Sequence, residues 1–446
     1  MLTMDLKILL FFLPILTLAA ALVPPKWKSA VLSVGGFTAC WFFGWKTFVY
    51  ALLSVFLGWF AVRCCPRSLQ GKSAQKAKAW ICISIVLQIL LLMLSGCKLP
   101  LLISGIQAVI AVFDRAHGML RIPSLPQYVG YVCEFPRWFG LYPVDFADYR
   151  SMQKARKFSV SKLGEGLWLM VLGAFQNIVL AMPMLYFYSM IANPQAGNSV
   201  RLPLLDAWLS AIAVYCVMFF RIHGWLDIGR GMLCVCGYDL PEGYDTPTFS
   251  ASLPDYCKRV WTPLHIAARD LLGIADDTEN VPMDKWALAV LICGVGLGLV
   301  FAESLLGALI WGITAAAIML LARLVSPLMR EKLPLAAQIV ITNLLAIALG
   351  GALFGTNCSG KFGDALALFG VGGFGISSSA TYALSWHWFD LLLCLIFLLP
   401  LRSLIKKLAD KYPVLQKLEP AAIPLAELGM LVLCIIRLVT ENVMTW

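Results

Sequence analysis

Two residues with acid–base chemistry stand four positions apart in the segment R-I-H-G-W-L-D, His223 and Asp227. On a helix these positions share a face. An imidazole oriented by a carboxylate can draw a proton from a hydroxyl group. A histidine that merely caps or packs the helix end is the alternative reading. Glu303 is the only carboxylate between Lys285 and Arg323. Desolvation in so apolar a setting would raise its affinity for a proton toward that of a base; a solvated loop carboxylate or a partner of an arginine is the alternative. A third group is cationic: Lys258, Arg259 and Arg269, with Asp255 and Asp270 close in sequence. Forked guanidinium donors suit phosphate oxyanions, although Arg259 or Arg269 could equally pair with Asp255 or Asp270, or meet anionic lipid heads. His265 is a weaker base candidate, and His117 and His387 fall in presumed connections where no role is assigned to them. The 14 cysteines are scattered, and Cys234 and Cys236 form a C-x-C without a second ligand pair, so no metal is expected.

The elements that must position these groups are membrane helices. Of the 446 residues, 60% are hydrophobic and 13% charged, against about half and a quarter in soluble domains. That balance excludes an ordinary soluble enzyme. Several apolar stretches reach the roughly 20 residues that cross a hydrocarbon core, so the fold class is an all-α polytopic bundle, treated as one integral-membrane domain over 1–446. The candidate spans lie at about 6–23, 29–43, 46–62, 79–96, 99–113, 165–192, 204–225, 286–302, 303–323, 334–354, 389–402 and 420–440, which makes about twelve. The first, which runs into Pro24 and Pro25 without a small-residue exit, is expected to be retained.

The net charge of +10 gathers in the gaps between apolar stretches, where positive residues set orientation; nucleic acid is not an expected partner. Arg63 to Lys78, Arg150 to Lys162, Arg323 to Lys332 and Arg402 to Lys411 are assigned to the cytoplasm, whereas Asn193 to Ser199 carries no Lys or Arg. Both termini then face outward. Tyr128 to Pro143 and Ile228 to Asp284 mix apolar runs with charges and prolines. They are expected to form re-entrant or interfacial helices buried against the bundle, since lipid leaves irregular backbone unsatisfied. A cytoplasmic loop with some amphipathic helix is the alternative.

The block Phe219 to Asp270, FFRIHGWLDIGRGMLCVCGYDLPEGYDTPTFSASLPDYCKRVWTPLHIAARD, resembles the membrane-bound O-acyltransferase family in its bacterial branch of alginate O-acetylases and teichoic-acid D-alanylation proteins. It follows the family's three consecutive motifs through Gly224, Asp227, Gly231, Gly237, Tyr238, Pro241, Glu242, Tyr244, Pro247, Lys258, Arg259, Leu264, Arg269 and Asp270. Trp41 to Lys46 is similar to its aromatic turn and Pro100 to Arg115 to one of its helices. Phe135 to Pro143 (FPRWFGLYP) is similar to its re-entrant stretch, with one extra residue before the second proline. The resemblance is strongest over 30–325, and 326–446 would add C-terminal spans.

It implies a helical bundle around a central cavity, bordered by Pro136, Arg137, Gly140, Gly224, Phe301 and Ala302. The implied reaction moves an acyl group from an acyl-CoA or acyl-carrier thioester, held by Lys258, Arg259, Arg269 and Asp270, toward a hydroxyl acceptor. The implied setting is a bacterial inner membrane, with an extracytoplasmic acyltransferase or polysaccharide-synthesis proteins as partners and membrane lipids around the bundle. The family's signature histidine is missing: Ala302, or Leu297 in another register, stands in its place, Ala315 in that of the second, and the W-H pair reads Val260 and Trp261. Either the base has moved, to His223 or Glu303, or the chain is a catalytically inactive scaffold. A channel or transporter fits the retained motifs less well.

Overall fold

A computed structural model describes residues 12–67, 71–94, 98–157, 159–192, 202–272, 305–354, 367–399 and 413–444, with single positions among 283–294 and at 411. Leu297, Phe301, Ala302 and Glu303 lie outside the described residues. All regular structure among those described is helical. Among the described residues seven helices are long and apolar enough to cross a membrane: Trp45–Cys64, Ser73–Leu94, Val160–Ile191, Leu204–Val235, Gly312–Lys332, Ser378–Phe397 and Ala422–Thr440; Leu13–Leu22 and Leu335–Leu349 are shorter apolar helices. The chain is a multi-pass membrane protein. Its residues gather into two compact units: Met1–Met170 with Trp225–Gly243 and Pro263–Ala289, and Val171–Gly224 with Tyr244–Thr262 and Val290–Trp446.

In the first unit the helices are α1 (Leu13–Leu22), α2 (Pro25–Phe42), α3 (Trp45–Cys64), α4 (Gly71–Leu94), α5 (Lys98–Ala116), α6 (Leu125–Cys133), α7 (Phe135–Trp138), α8 (Phe146–Ala155) and most of α9 (Val160–Phe175). Helices α3, α4 and α5 pack on one another around a polar node, in which the Ser54 hydroxyl donates to Gln88 Oε1 at 2.7 Å and lies 3.2 Å from Ser104 Oγ. Gln88 Nε2 returns a bond to the Ser54 carbonyl at 3.2 Å. Such bonds join spans where lipid offers no hydrophobic drive. The stretch expected to be re-entrant is two short helices, α6 and α7, and its residues from Gly130 to Pro143 are buried.

The second unit takes the end of α9, a π-helical stretch Gln176–Ala181, α10 (Met182–Ala192), most of α11 (Leu204–Val235) and α12 (Leu253–Val260). It also holds α14 (Leu305–Lys332), α15 (Leu335–Phe354), α16 (Ser378–Phe397) and α17 (Pro413–Met444), while α13 (Thr262–Leu272) falls largely to the first unit. The start of α11 is closed by a distant loop: Leu204 N–H donates to Gly373 O at 3.0 Å, Leu205 N–H to Gly375 O at 3.3 Å, and Trp208 Nε1–H to Leu368 O at 3.2 Å. In return Ser377 N–H donates to Asp206 Oδ1 at 3.0 Å. Loop carbonyls thus satisfy N–H groups that every helix start leaves open.

Two expectations are corrected. Residues 228–235 continue α11 rather than opening an irregular segment. Their polar side chains are tolerated because Gly229 and Gly231 let neighbouring backbone come close: a Cβ at Gly229 would stand 2.5 Å from Gly140 Cα, and one at Gly231 2.5 Å from Gly166 O. The helix then stops in a Schellman motif, with Gly237 at φ 91°, Tyr238 N–H bonded to Leu233 O and Gly237 N–H to Cys234 O. His387 is not in a connection. It sits inside α16, which begins eleven residues before the expected span at 389 because the serine- and histidine-containing turns that open it hide its apolar character.

Candidate functional site

The helix α11 carries the first three family-like positions, Gly224, Asp227 and Gly231. Gly224 has no room for a side chain, since a Cβ would stand 2.1 Å from Asn177 Nδ2 and 2.7 Å from Gly173 O; Asn177 in turn donates to Gly173 O at 2.8 Å. One residue earlier, His223 is 1% exposed. Its ring lies 3.9 Å from that of Tyr244, nearly parallel at 6°, and 4.0 Å edge-on from Phe219. Nε2 is 3.0 Å from the Val260 carbonyl. A carbonyl only accepts, so Nε2 carries the proton and points at α12, not at Asp227. Asp227 is itself buried, at 4% exposure. The structure thus shows His223 as a ring packed in a slot, joining α11 to the ends of the Tyr244–Val260 segment.

Within that segment α12 opens on Ser252, whose hydroxyl accepts from Asp255 N–H. Arg259 donates from Nε to Asp255 Oδ1 at 3.0 Å, and its Nη1 lies 3.9 Å from Asp245 Oδ2. Its 33% exposure leaves one edge of the guanidinium open. Lys258 is exposed and Arg269 on α13 half-buried. Asp270 ends the described surface of α13, and its side chain lies outside the described residues. The ion pair foreseen between Arg259 and Asp255 is present, with Asp245 as a second carboxylate.

The first unit holds the re-entrant candidates. Arg137 and Glu134 are both fully buried and pair at 3.0 Å. The guanidinium is held between the Tyr149 ring at 4.9 Å and the Tyr238 ring at 5.6 Å. Glu134 also accepts from Gln153 Nε2 at 3.1 Å and Tyr149 Oη at 3.4 Å, and Tyr149 Oη lies 3.1 Å from Ser29 Oγ. Burial, with Glu134 adding, pushes both phenols well above the ordinary tyrosine range, so they stay neutral and offer their faces to the cation. Pro136 and Gly140 shape the turn: a Cβ on Gly140 would be 2.0 Å from Pro136 O. Tyr142 donates its hydroxyl to Pro241 O, and Arg230 lies 3.7 Å from Glu165 and 4.0 Å from Glu242. Of the motif residues, Tyr238 and Pro241 therefore contact the buried stretch 130–143, while Glu242 pairs with Arg230 and the Gly237 carbonyl accepts from Lys157 N–H.

Burial pushes the Cys236 thiol up to about 12, and among the described residues no three His, Cys, Asp or Glu gather as a metal set. Sequence reasoning missed Glu134, Tyr149 and Tyr238 as one network, because their partnership depends on a turn that brings 238 back to 137.

No family model matches the chain. Curated proteins do align with it. The probable alginate O-acetylase AlgI of Azotobacter vinelandii is 21% identical over 304 residues, 60% of this chain and 58% of that protein. Its namesake in Pseudomonas fluorescens is 20% identical over 286 residues, and that of Pseudomonas aeruginosa 21% over 302, each covering 60% of this chain and 55% of the relative. The chain is a distant relative of the alginate O-acetylases. It spans little more than half the length of these relatives, so the matched part carries the relationship and the whole relatives' activity does not follow from it directly.

Proposed function

We propose that this chain is an inner-membrane component of a bacterial system that acylates an exopolysaccharide or another cell-envelope polymer, with acetyl as the group transferred. The observation that carries this reading is the alignment with proteins named as alginate O-acetylases, together with the motif-like block through Gly224 to Arg269. The donor would be an acyl-CoA or acyl-carrier thioester, whose phosphate oxygens Lys258 and Arg259 of α12 would meet, with Arg269 of α13 and Asp270 as the further donor-binding residues that the family resemblance implies. Arg259 would answer a phosphate with the edge that Asp255 leaves free. The acceptor hydroxyl would be reached from the other face, on the polymer or on a separate extracytoplasmic acyltransferase that decorates it. Replacement of the signature histidine by Ala302 or Leu297 supports a second reading, a scaffold that keeps the family fold without chemistry.

Expression of the full chain in a host deleted for its own copy decides between them. An acyl-transfer component restores O-acetyl groups to the polymer. In the same membranes Arg259→Ala should weaken binding of acetyl-CoA roughly tenfold to a hundredfold, the loss of about 1.5–3 kcal/mol expected of one charge-assisted contact, as measured by filter binding of labelled acetyl-CoA. Binding unchanged by Arg259→Ala and Arg269→Ala would return both arginines to a structural role.

A further inference from the structure

Helix α16 buries one stripe, Ala380, Ala383, His387, Asp390 and Cys394, while Trp386, Trp388 and Phe389 are exposed. Two titratable side chains therefore sit on the packing face of a membrane-spanning helix, among small residues. His387 is 6% exposed and Asp390 4%. Ionisable groups at such depth are expensive and are found where they do a job.

Their geometry is that of an oriented imidazole. His387 Nδ1 lies 2.9 Å from Asp390 Oδ2. The other carboxylate oxygen, Oδ1, accepts from Arg437 Nη2 on α17. The Asp390 carboxylate faces the ring as an acceptor, so Nδ1 donates its N–H to Oδ2 and Nε2 is left with the lone pair. That Nε2 is buried and has no hydrogen-bond partner among the described residues. Phe187 on α10 stands edge-on to the ring, with centroids 6.1 Å apart. A buried acceptor without a donor is unfavourable, and a hydroxyl donating to Nε2 would relieve it. By contrast His223 gives its Nε2–H to a backbone carbonyl, and His117 has Nδ1 2.9 Å from Phe113 O.

We propose that His387 is the proton acceptor of this chain's acyl transfer, with Asp390 and Arg437 as positioning residues. This rests on the acyl-transfer reading above. The acceptor hydroxyl donates to Nε2; its O–H bond breaks as its oxygen bonds to the acyl carbon, and the C–S bond of the thioester breaks. The departing thiolate takes the proton back from Nε2, so the products are an ester and a thiol and the imidazole is regenerated. Asp390 stabilises the intervening imidazolium.

Membrane vesicles from the complemented deletion strain, given labelled acetyl-CoA, provide the test. His387→Gln should lower the initial rate of acetyl transfer to polymer about 10²- to 10⁴-fold, with folded, monodisperse protein at wild-type level by size-exclusion of the detergent extract. His117→Gln should transfer at the wild-type rate. Asp390→Asn should lower kcat while leaving KM for acetyl-CoA unchanged, a split that a purely structural pair would not produce. Wild-type rates in His387→Gln, or rates that fall only in step with folded protein in both variants, would overturn the proposal. Vesicles in which the unsubstituted chain transfers no acetyl would overturn the acyl-transfer reading first, before any variant is needed.

Discussion

Arg137→Ala should lower the unfolding free energy by about 3–5 kcal/mol, the usual loss when one member of a buried ion pair is removed. The reason is the company it would leave behind. Glu134 is fully buried and, among the described residues, has only Gln153 and Tyr149 as its other donors, so its charge would be stranded where water does not reach. The two tyrosine faces would also lose their cation. Paired replacement separates these effects: Glu134→Gln with Arg137→Met removes both charges, keeps most of the volume and should recover a large part of the loss. Chemical denaturation of the detergent-solubilised protein measures both, and a single-variant loss below about 1 kcal/mol would mean that the pair is reached by water after all.

Gly140→Ala should be nearly as damaging. The added methyl would stand 2.0 Å from Pro136 O and 2.4 Å from Gly229 Cα, and both are backbone atoms that no rotamer change can move aside. Overpacking of this kind typically costs about 1–3 kcal/mol and more where the backbone must shift. Gly229→Ala meets the same wall from the other side, 2.5 Å from Gly140 Cα. Gly164→Ala in α9 has open space within 4 Å and should be neutral or gain up to about 1 kcal/mol of helix propensity. Melting curves of the three variants make the comparison, and an unchanged midpoint for Gly140→Ala would show that α7 is free to move away from α11.

The spans were legible because length and apolarity alone decide whether a segment can cross lipid. The burial of residues 130–143 was legible too, in the prolines and charges that interrupt an otherwise apolar run. The extension of α11 to Val235 was not, since Arg230 reads as part of an irregular segment that begins at Ile228 until Gly140 and Gly166 are seen to close on Gly229 and Gly231. His223 was legible as a residue and not as an orientation. What holds its ring, Tyr244 and the Val260 carbonyl, comes from 21 and 37 residues further on, beyond any helical period. His387 was overlooked for a different reason. Its span opens on Ser-Ser-Ala-Thr and carries His and Asp, so hydropathy starts it late. The signal that would have found it is a histidine and an aspartate three apart, in register with Ala380, Ala383 and Cys394 on a stripe of 3.5-residue period.

The loop that closes the start of α11 bears on how the protein is made. Its carbonyls and the Asp206–Ser377 bond are contributed by residues 160 to 171 positions later in the chain. Synthesis at about 5–20 residues per second places the two partners on the order of ten to thirty seconds apart. Throughout that interval α11 is in the membrane with its first N–H groups still open, served by water or lipid heads at the interface. Insertion of the early spans therefore precedes their completion, and the second half of the chain acts on the first as a template-bound clasp acts on a half-closed chain. A ribosome stalled before residue 367 would leave α11 inserted but unfastened.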